Sequence, residues 1–273
     1  MENKKKIVLV TGGSSGIGRA ISSYLSKVGY IVYGSSRNVI HGDVLDNFMM
    51  VKMDVTDPKS VQEAVKYIVK KEGRIDVLIN NAGLGMIGPL ESTSIGEIRE
   101  VFETNIFGVL NVCKAVLPYL RKNKKANIIN ITSIGGEVSL PYRGIYCSSK
   151  FAVEAFSEAL SMEVRQFGIH VTIVEPGDFK TNINRNRKIA QNAESSIYKT
   201  EFSRIMEQVN EEVSNAPTPG KIGVKIHQIL QKKKPGLRYK VATPMQKLSV
   251  LLKRVLPSRV FEKLIMKHYR IQE

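Results

Sequence analysis

The sequence predicts an α/β protein: one domain over residues 1–273, with a doubly wound, seven-stranded parallel sheet and helices on both faces. Three observations predict it. Short apolar or β-branched runs recur at 7–10, 31–34, 48–53, 75–79, 128–131 and 171–174, each of the length of a buried strand. The segments between them carry apolar residues at helical spacing, and strands alternating with such helices call for a parallel sheet. Glycines and small polar residues collect just after the strand ends, where open parallel sheets bind ligands.

The first strand, 7–10, runs directly into Thr11-Gly12-Gly13-Ser14-Ser15-Gly16-Ile17-Gly18, and Ile21, Tyr24, Leu25 and Val28 then form a helical stripe. A glycine turn between strand and helix lets the backbone approach a ligand, and the helix N-terminus favours a pyrophosphate. The spacing G-x-x-x-G-x-G in this place points to a dinucleotide site rather than a plain βα turn. The second strand ends at Ser35-Ser36-Arg37 with no acidic residue nearby. An acid there binds the ribose 2′-hydroxyl of NAD, whereas an arginine accommodates a 2′-phosphate, so NADP(H) is the expected cofactor. Residues 38–47 are short and polar, and a helix of about one turn is expected there.

The third strand leads to Asp54-Val55-Thr56-Asp57-Pro58, with Asp57 as N-cap and Pro58 at the first helical position. Val61, Ala64, Val65, Ile68 and Val69 make the inner face of the helix that follows. The fourth strand breaks at Asn80-Asn81-Ala82-Gly83, small residues that let a ligand lie against the backbone. Residues 95–120 read as one long helix in which Asn105 is a polar residue in an apolar setting, a structural tie unless chemistry uses it. The fifth strand ends at Thr132-Ser133 and the sixth at Glu175-Pro176-Gly177. From 182 to 219 the composition turns polar, and two short helices forming a lid over the site are expected. An edge strand at 237–241 completes the seven.

Composition excludes several classes. Apolar residues are 42% and charged residues 24%, ordinary for a globular protein. No run of eighteen apolar residues occurs and no signal-like segment opens the chain, so a cytoplasmic protein is expected. Two cysteines, Cys113 and Cys147, are too few for a disulfide framework, and the four histidines show no metal-ligand spacing. The net charge is +16, of which residues 219–273 hold +12. Residues 243–273 read as two basic amphipathic helices split by Pro257. They suit either a peripheral contact with an anionic membrane or packing against the lid, and the second reading is slightly favoured. Charge alone suggests nucleic acid, and no nucleic-acid motif accompanies it, so no such partner is expected.

Tyr146 and Lys150 are four residues apart at the start of a helical run and share one face. An ammonium beside a phenol favours the phenolate, which is expected to bring the tyrosine pKa down towards neutrality. Such a phenol can exchange a proton with a carbonyl or alcohol oxygen.

Together these motifs resemble the short-chain dehydrogenase/reductase family over roughly residues 5–181. Gly12, Ser14, Ser15, Gly16, Ile17 and Gly18 match the cofactor turn of its Rossmann fold. Asp54 and Val55 match the adenine-side motif, and Asn81, Ala82 and Gly83 its N-N-A-G stretch. Pro176, Gly177 and Thr181 match the motif that holds the nicotinamide carboxamide. Asn105, Ser133, Tyr146 and Lys150 match its catalytic tetrad. The resemblance implies that Tyr146 is the general acid/base. Lys150 would lower its pKa and hold the nicotinamide ribose, Ser133 would orient the substrate oxygen, and Asn105 would support a water relay. It further implies carbonyl reduction or alcohol oxidation and a homodimer or homotetramer. Arg37 and the basic tail resemble the branch acting on lipophilic substrates, such as hydroxysteroid and retinol dehydrogenases. The contrasting class is a nucleotide-sensing protein on the same fold without turnover, which would not need an acid, its activator and an oxygen orienter together.

Overall fold

The computed structural model describes residues 5–123, 125–180, 187–195 and 197–271. Its strands are β1 (Ile7–Val10), β2 (Ile31–Ser36), β3 (Val44–Leu45), β4 (Phe48–Lys52), β5 (Val77–Asn80), β6 (Met86–Ile87), β7 (Ala126–Ile131), β8 (Ile169–Pro176), β9 (Lys188–Ile189) and β10 (Arg238–Val241). Its α-helices are α1 (Gly16–Lys27), α2 (Pro58–Glu72), α3 (Ile95–Phe102), α4 (Gly108–Leu120), α5 (Gly144–Glu163), α6 (Lys199–Ser214), α7 (Gly220–Leu230), α8 (Pro244–Val255) and α9 (Ser258–His268).

The main sheet runs β10-β8-β7-β5-β1-β2-β4-β3. Its first seven members are parallel, as the alternation requires, and β3 is antiparallel to β4. Strand β1 pairs with β2 on one side (Val8 opposite Val32) and with β5 on the other (Val8 opposite Val77). Chain order reverses there, which opens a crevice beyond the ends of β1 and β5.

Alternate strand residues feed two cores. Leu9, Tyr33, Val51, Leu78 and Ile128 point to α2, α4 and α5, meeting Val65, Ile68, Val112, Val116 and Val153. Val8, Val10, Val32, Ile79 and Ile129 point the other way, onto Ile21 and Leu25 of α1 and Ile222 and Ile226 of α7. Each such side chain contributes about 1.5–3 kcal/mol by leaving water. Asp57 caps α2 through the Lys59 N–H (2.9 Å), with Pro58 at the first position and Gly73 at φ +77° closing the helix.

Three expectations are corrected. Residues 38–47 form no helix: Leu45 pairs with Phe48 across the two-residue loop Asp46-Asn47, making a β3–β4 hairpin. Asp46 takes φ +53°, as such loops demand, and Arg19 grips its carboxylate with two hydrogen bonds. The stretch 95–120 is not one α-helix, because a π-helical turn, Glu103–Phe107, interrupts it. By length and composition this run could cross a membrane. In this fold Val101, Val112, Val116 and Leu120 are buried beside the sheet. In place of two short helices between 182 and 219, the described residues hold β9, which pairs with β6 as a second small sheet, a 3₁₀ turn at Ala193–Ser195, and the 16-residue α6.

Candidate active site at the strand ends

Every residue that the sequence singled out, among those described, lies at or beyond the C-terminal end of a parallel strand or on the α3–α5 layer beside it. The β1–α1 turn is pressed onto its neighbours. Gly12 has φ +65°, and a Cβ there would lie 3.0 Å from the Ala82 Cα. A Cβ on Gly18 would lie 2.2 Å from the Gly12 carbonyl oxygen. Thr11 clamps the turn: its hydroxyl accepts from the N–H groups of Asn81 (2.9 Å) and Ala82 (3.0 Å). The Asn81 amide in turn donates to the Thr11 carbonyl (2.9 Å).

The donors left over suit an anion. The first N–H groups of α1, at Gly16, Ile17 and Gly18, have no intrahelical acceptor. Ser15 at the N-cap makes no side-chain capping bond. Ser14 stands in the same turn. These groups match a pyrophosphate. Arg37 follows β2, is exposed, and has no salt-bridge partner among the described residues. Asp54 follows β4 and accepts from the N–H and hydroxyl of Thr56 (3.0 and 2.8 Å). Val55 beside it is buried. Asn81, Ala82 and Gly83 follow β5. Pro176 ends β8 and Gly177 follows it, donating its N–H to the Val241 carbonyl at 3.0 Å. Thr181 lies outside the described residues.

Tyr146 and Lys150 sit on one face of α5, with the lysine nitrogen 5.8 Å from the tyrosine ring centre. The phenol lies close to Ser133, which stands in extended backbone (φ −174°) just beyond β7. Lys150 is buried and donates to the Ile131 carbonyl at 3.2 Å. The expected fall in the tyrosine pKa is not seen. Burial pushes the Tyr146 phenol up to about 12, against the opposing bond from Ser133. Burial also pulls Lys150 down to about 8, with Glu154 opposing. Desolvation is the largest cause for both groups. A phenol in that range carries its proton at neutral pH, the form that donates.

Asn105 lies in the π-turn and is buried. Its carbonyl accepts from the Leu84 N–H (2.7 Å), and its amide donates to the Leu84 carbonyl (3.0 Å) and the Ser149 hydroxyl (2.9 Å). It therefore ties the segment after β5 to α5, the helix that carries Tyr146 and Lys150. The wide turn is what swings this side chain inward, a common use of π-bulges.

A cavity of about 640 Å³ opens from Ser133 and Tyr146, with Ile17, Pro176 and Gly177 on the cofactor-turn side. Its far walls come from Val209 and Val213 of α6, Leu252 of α8, and Phe261 and Ile265 of α9. The tail helices thus pack over the site. Their outer surface keeps Leu251, Val255 and Val260 exposed. Part of the basic charge turns inward as well. Arg238 meets Glu154 (2.8 Å), Glu158 (2.5 Å) and Glu175 (3.2 Å), while Lys240 meets Glu137 and Glu175 (3.0 Å each). Arg254 of α8 reaches Glu137 at 2.5 Å. Neither this network nor the cavity's polar members Arg143 and Asp178 carries a motif, and the sequence reading passed over them.

Fold and site together define a dinucleotide-binding protein of the Rossmann class. More narrowly, residues 6–192 match the sequence model of the family described as short chain dehydrogenase. The chain belongs to that family of oxidoreductases. It is 42% identical over 268 residues to a 3-ketodihydrosphingosine reductase of Bacteroides thetaiotaomicron, covering 98% of this chain and 99% of the other. A short-chain dehydrogenase from Streptomyces avermitilis superposes with a TM-score of 0.80 at 30% identity over the whole of both chains. The structure of ElxO with NADP bound superposes with a TM-score of 0.70 at 29% identity, covering 87% of this chain and 97% of the other.

Proposed function

We propose that this protein is an NADPH-dependent reductase of a long-chain ketone, with Tyr146 as the proton donor. The observation that carries the reading is the cavity of about 640 Å³, which brings Ser133 and Tyr146 together with the apolar side chains Val209, Val213, Leu252, Phe261 and Ile265. A cavity of several hundred Å³ with few polar groups at one end orients an apolar molecule by one functional group. The Bacteroides relative is named for the reduction of 3-ketodihydrosphingosine, a long-chain ketone bearing an amine beside the carbonyl.

NADPH would supply a hydride to the carbonyl carbon. The β1–α1 turn would hold its pyrophosphate, Arg37 its 2′-phosphate, Asp54 and Val55 its adenine side, and Asn81, Ala82, Gly83, Lys150, Pro176, Gly177 and Thr181 its nicotinamide half. The Tyr146 phenol would give its proton to the carbonyl oxygen, so that ketone, hydride and proton together leave as the alcohol and the phenol is left as phenolate. Ser133 donates a hydrogen bond to the same oxygen. Lys150 offsets the charge left on the phenolate, and Asn105 positions α5.

A series of ketones of rising chain length, followed by NADPH absorbance, tests the reading. Each methylene that enters an apolar wall should raise kcat/KM about fourfold until the cavity is full. A flat dependence, or no turnover of any ketone, overturns it. Arg37→Asp in the same assay is expected to swing the NADPH-to-NADH preference roughly 100-fold towards NADH, since it exchanges attraction to the 2′-phosphate for repulsion. An unchanged ratio would remove Arg37 from the phosphate site.

A further inference from the structure

Asp178 follows the Pro176-Gly177 pair and lines the cavity that holds Ser133 and Tyr146. One of its carboxylate oxygens is fixed: Gln246 of α8 donates to Oδ2 at 2.7 Å. Gln246 is itself held in the capping box of α8, where its side chain accepts from the Thr243 N–H (3.2 Å). Gly177 leaves it room, since a Cβ at 177 would stand 2.0 Å from the Gln246 Oε1. The other oxygen of Asp178 has no hydrogen-bond or ion-pair partner among the described residues.

The neighbouring charges do not neutralise it by contact. Arg143 donates to the Tyr269 hydroxyl (3.2 Å) and Arg187 to Asn210. Glu212 pairs with His268 at 3.2 Å. Burial pushes the Asp178 carboxyl up from its ordinary range, with the more distant Arg143 opposing. A carboxylate bonded on one side only, in the wall of a cavity that it shares with Arg143, Arg187 and Glu212, keeps one oxygen free to receive a cation. It is also near enough to Tyr146 to raise the phenol's pKa.

We infer that Asp178 is the specificity residue of this cavity and receives the ammonium of a substrate that carries an amine beside its ketone. The inference rests on the proposed ketone reductase reading and narrows it to long-chain aminoketones. An ammonium bound at Asp178 cancels the negative charge next to the phenol, so the correct substrate makes Tyr146 a better acid when it arrives. An amine-free ketone of the same length leaves that charge standing.

The test compares two long-chain ketones of equal length, one with a 2-amino group and one without, in the NADPH assay. The wild-type protein is expected to prefer the aminoketone. In Asp178→Asn the ratio of the two kcat/KM values should fall about 30-fold or more, the cost of leaving a desolvated charge without its partner. An unchanged ratio, or a wild-type preference for the amine-free ketone, overturns the inference while leaving the reductase reading intact. Turnover of neither ketone by the wild type overturns both. A second measurement does not depend on the variant's folding. A long-chain primary amine should inhibit the wild type more strongly than the alcohol of the same length, and equal inhibition overturns the inference.

Discussion

Tyr146→Phe is expected to lower the reduction rate by about 10³-fold while NADPH still binds. The substitution keeps the ring and its packing on α5 and removes only the hydroxyl that faces Ser133. Proton donation in the transition state is worth about 10²–10⁴ in rate, and nothing nearby can replace the donor. Lys150 is directed at the Ile131 carbonyl, and Ser133 remains a hydrogen-bond donor of far weaker acidity. Binding of NADPH, read by its fluorescence, separates lost chemistry from a damaged fold. Turnover within tenfold of wild type, with normal binding, would remove Tyr146 from the proton transfer.

Arg238→Leu carries the largest expected effect on stability. The arginine stands among Glu154, Glu158 and Glu175, and the Glu175 side chain has no exposed surface. Removing one partner of a buried ionic group leaves uncompensated charge, at a cost of about 3–5 kcal/mol. For a chain of this size that lowers the Tm by about 10 °C. The deficit should depend on pH in a definite sense. Burial already raises the Glu154 carboxyl to about 7 and raises that of Glu175 as well. A carboxyl whose folded pKa lies above its unfolded value favours folding in its protonated form. That contribution is full below the ordinary carboxylate range and is lost as pH rises through about 7. Without Arg238 both groups are harder to ionise, so the variant should lose more at pH 8 than at pH 6. Thermal unfolding at the two values measures this, and equal deficits would show that the network is not charged as drawn.

The parallel sheet was legible because its inner strands, such as β1, β5 and β7, are buried on both faces and so read as largely apolar runs. Its ligand-side residues were legible because backbone approach demands glycine and small polar side chains at fixed offsets. Asn105 shows where such reading stops. Its polarity in an apolar stretch marked it, yet nothing in 95–120 announced that the helix widens there to aim it at Leu84 and Ser149. The 38–47 segment went wrong for a local reason. Asp46-Asn47 between Leu45 and Phe48 forms a two-residue hairpin loop, which the expectation of a short helix in this segment passed over. Asp178 and Arg238 were invisible in another way. Each depends on partners 68 and 80–84 residues away, and no periodicity records such a meeting. The fall expected for the Tyr146 pKa failed because spacing reveals a charged neighbour but not how much water the fold removes.

The tail has a consequence for how this chain can be varied. Helices α8 and α9 turn Val250 and Phe261 inward, and they leave Leu251 and Val255 outside beside Lys253 and Arg254. Gln246, which anchors Asp178, comes from the same short segment. Exchanging residues 243–271 with those of a relative would therefore transplant the wall of the cavity, the anchor of its carboxylate and the basic exterior in one piece. The lining of the cavity and the character of the surface are inherited together here. Only point changes confined to the outer side chains can divide one from the other.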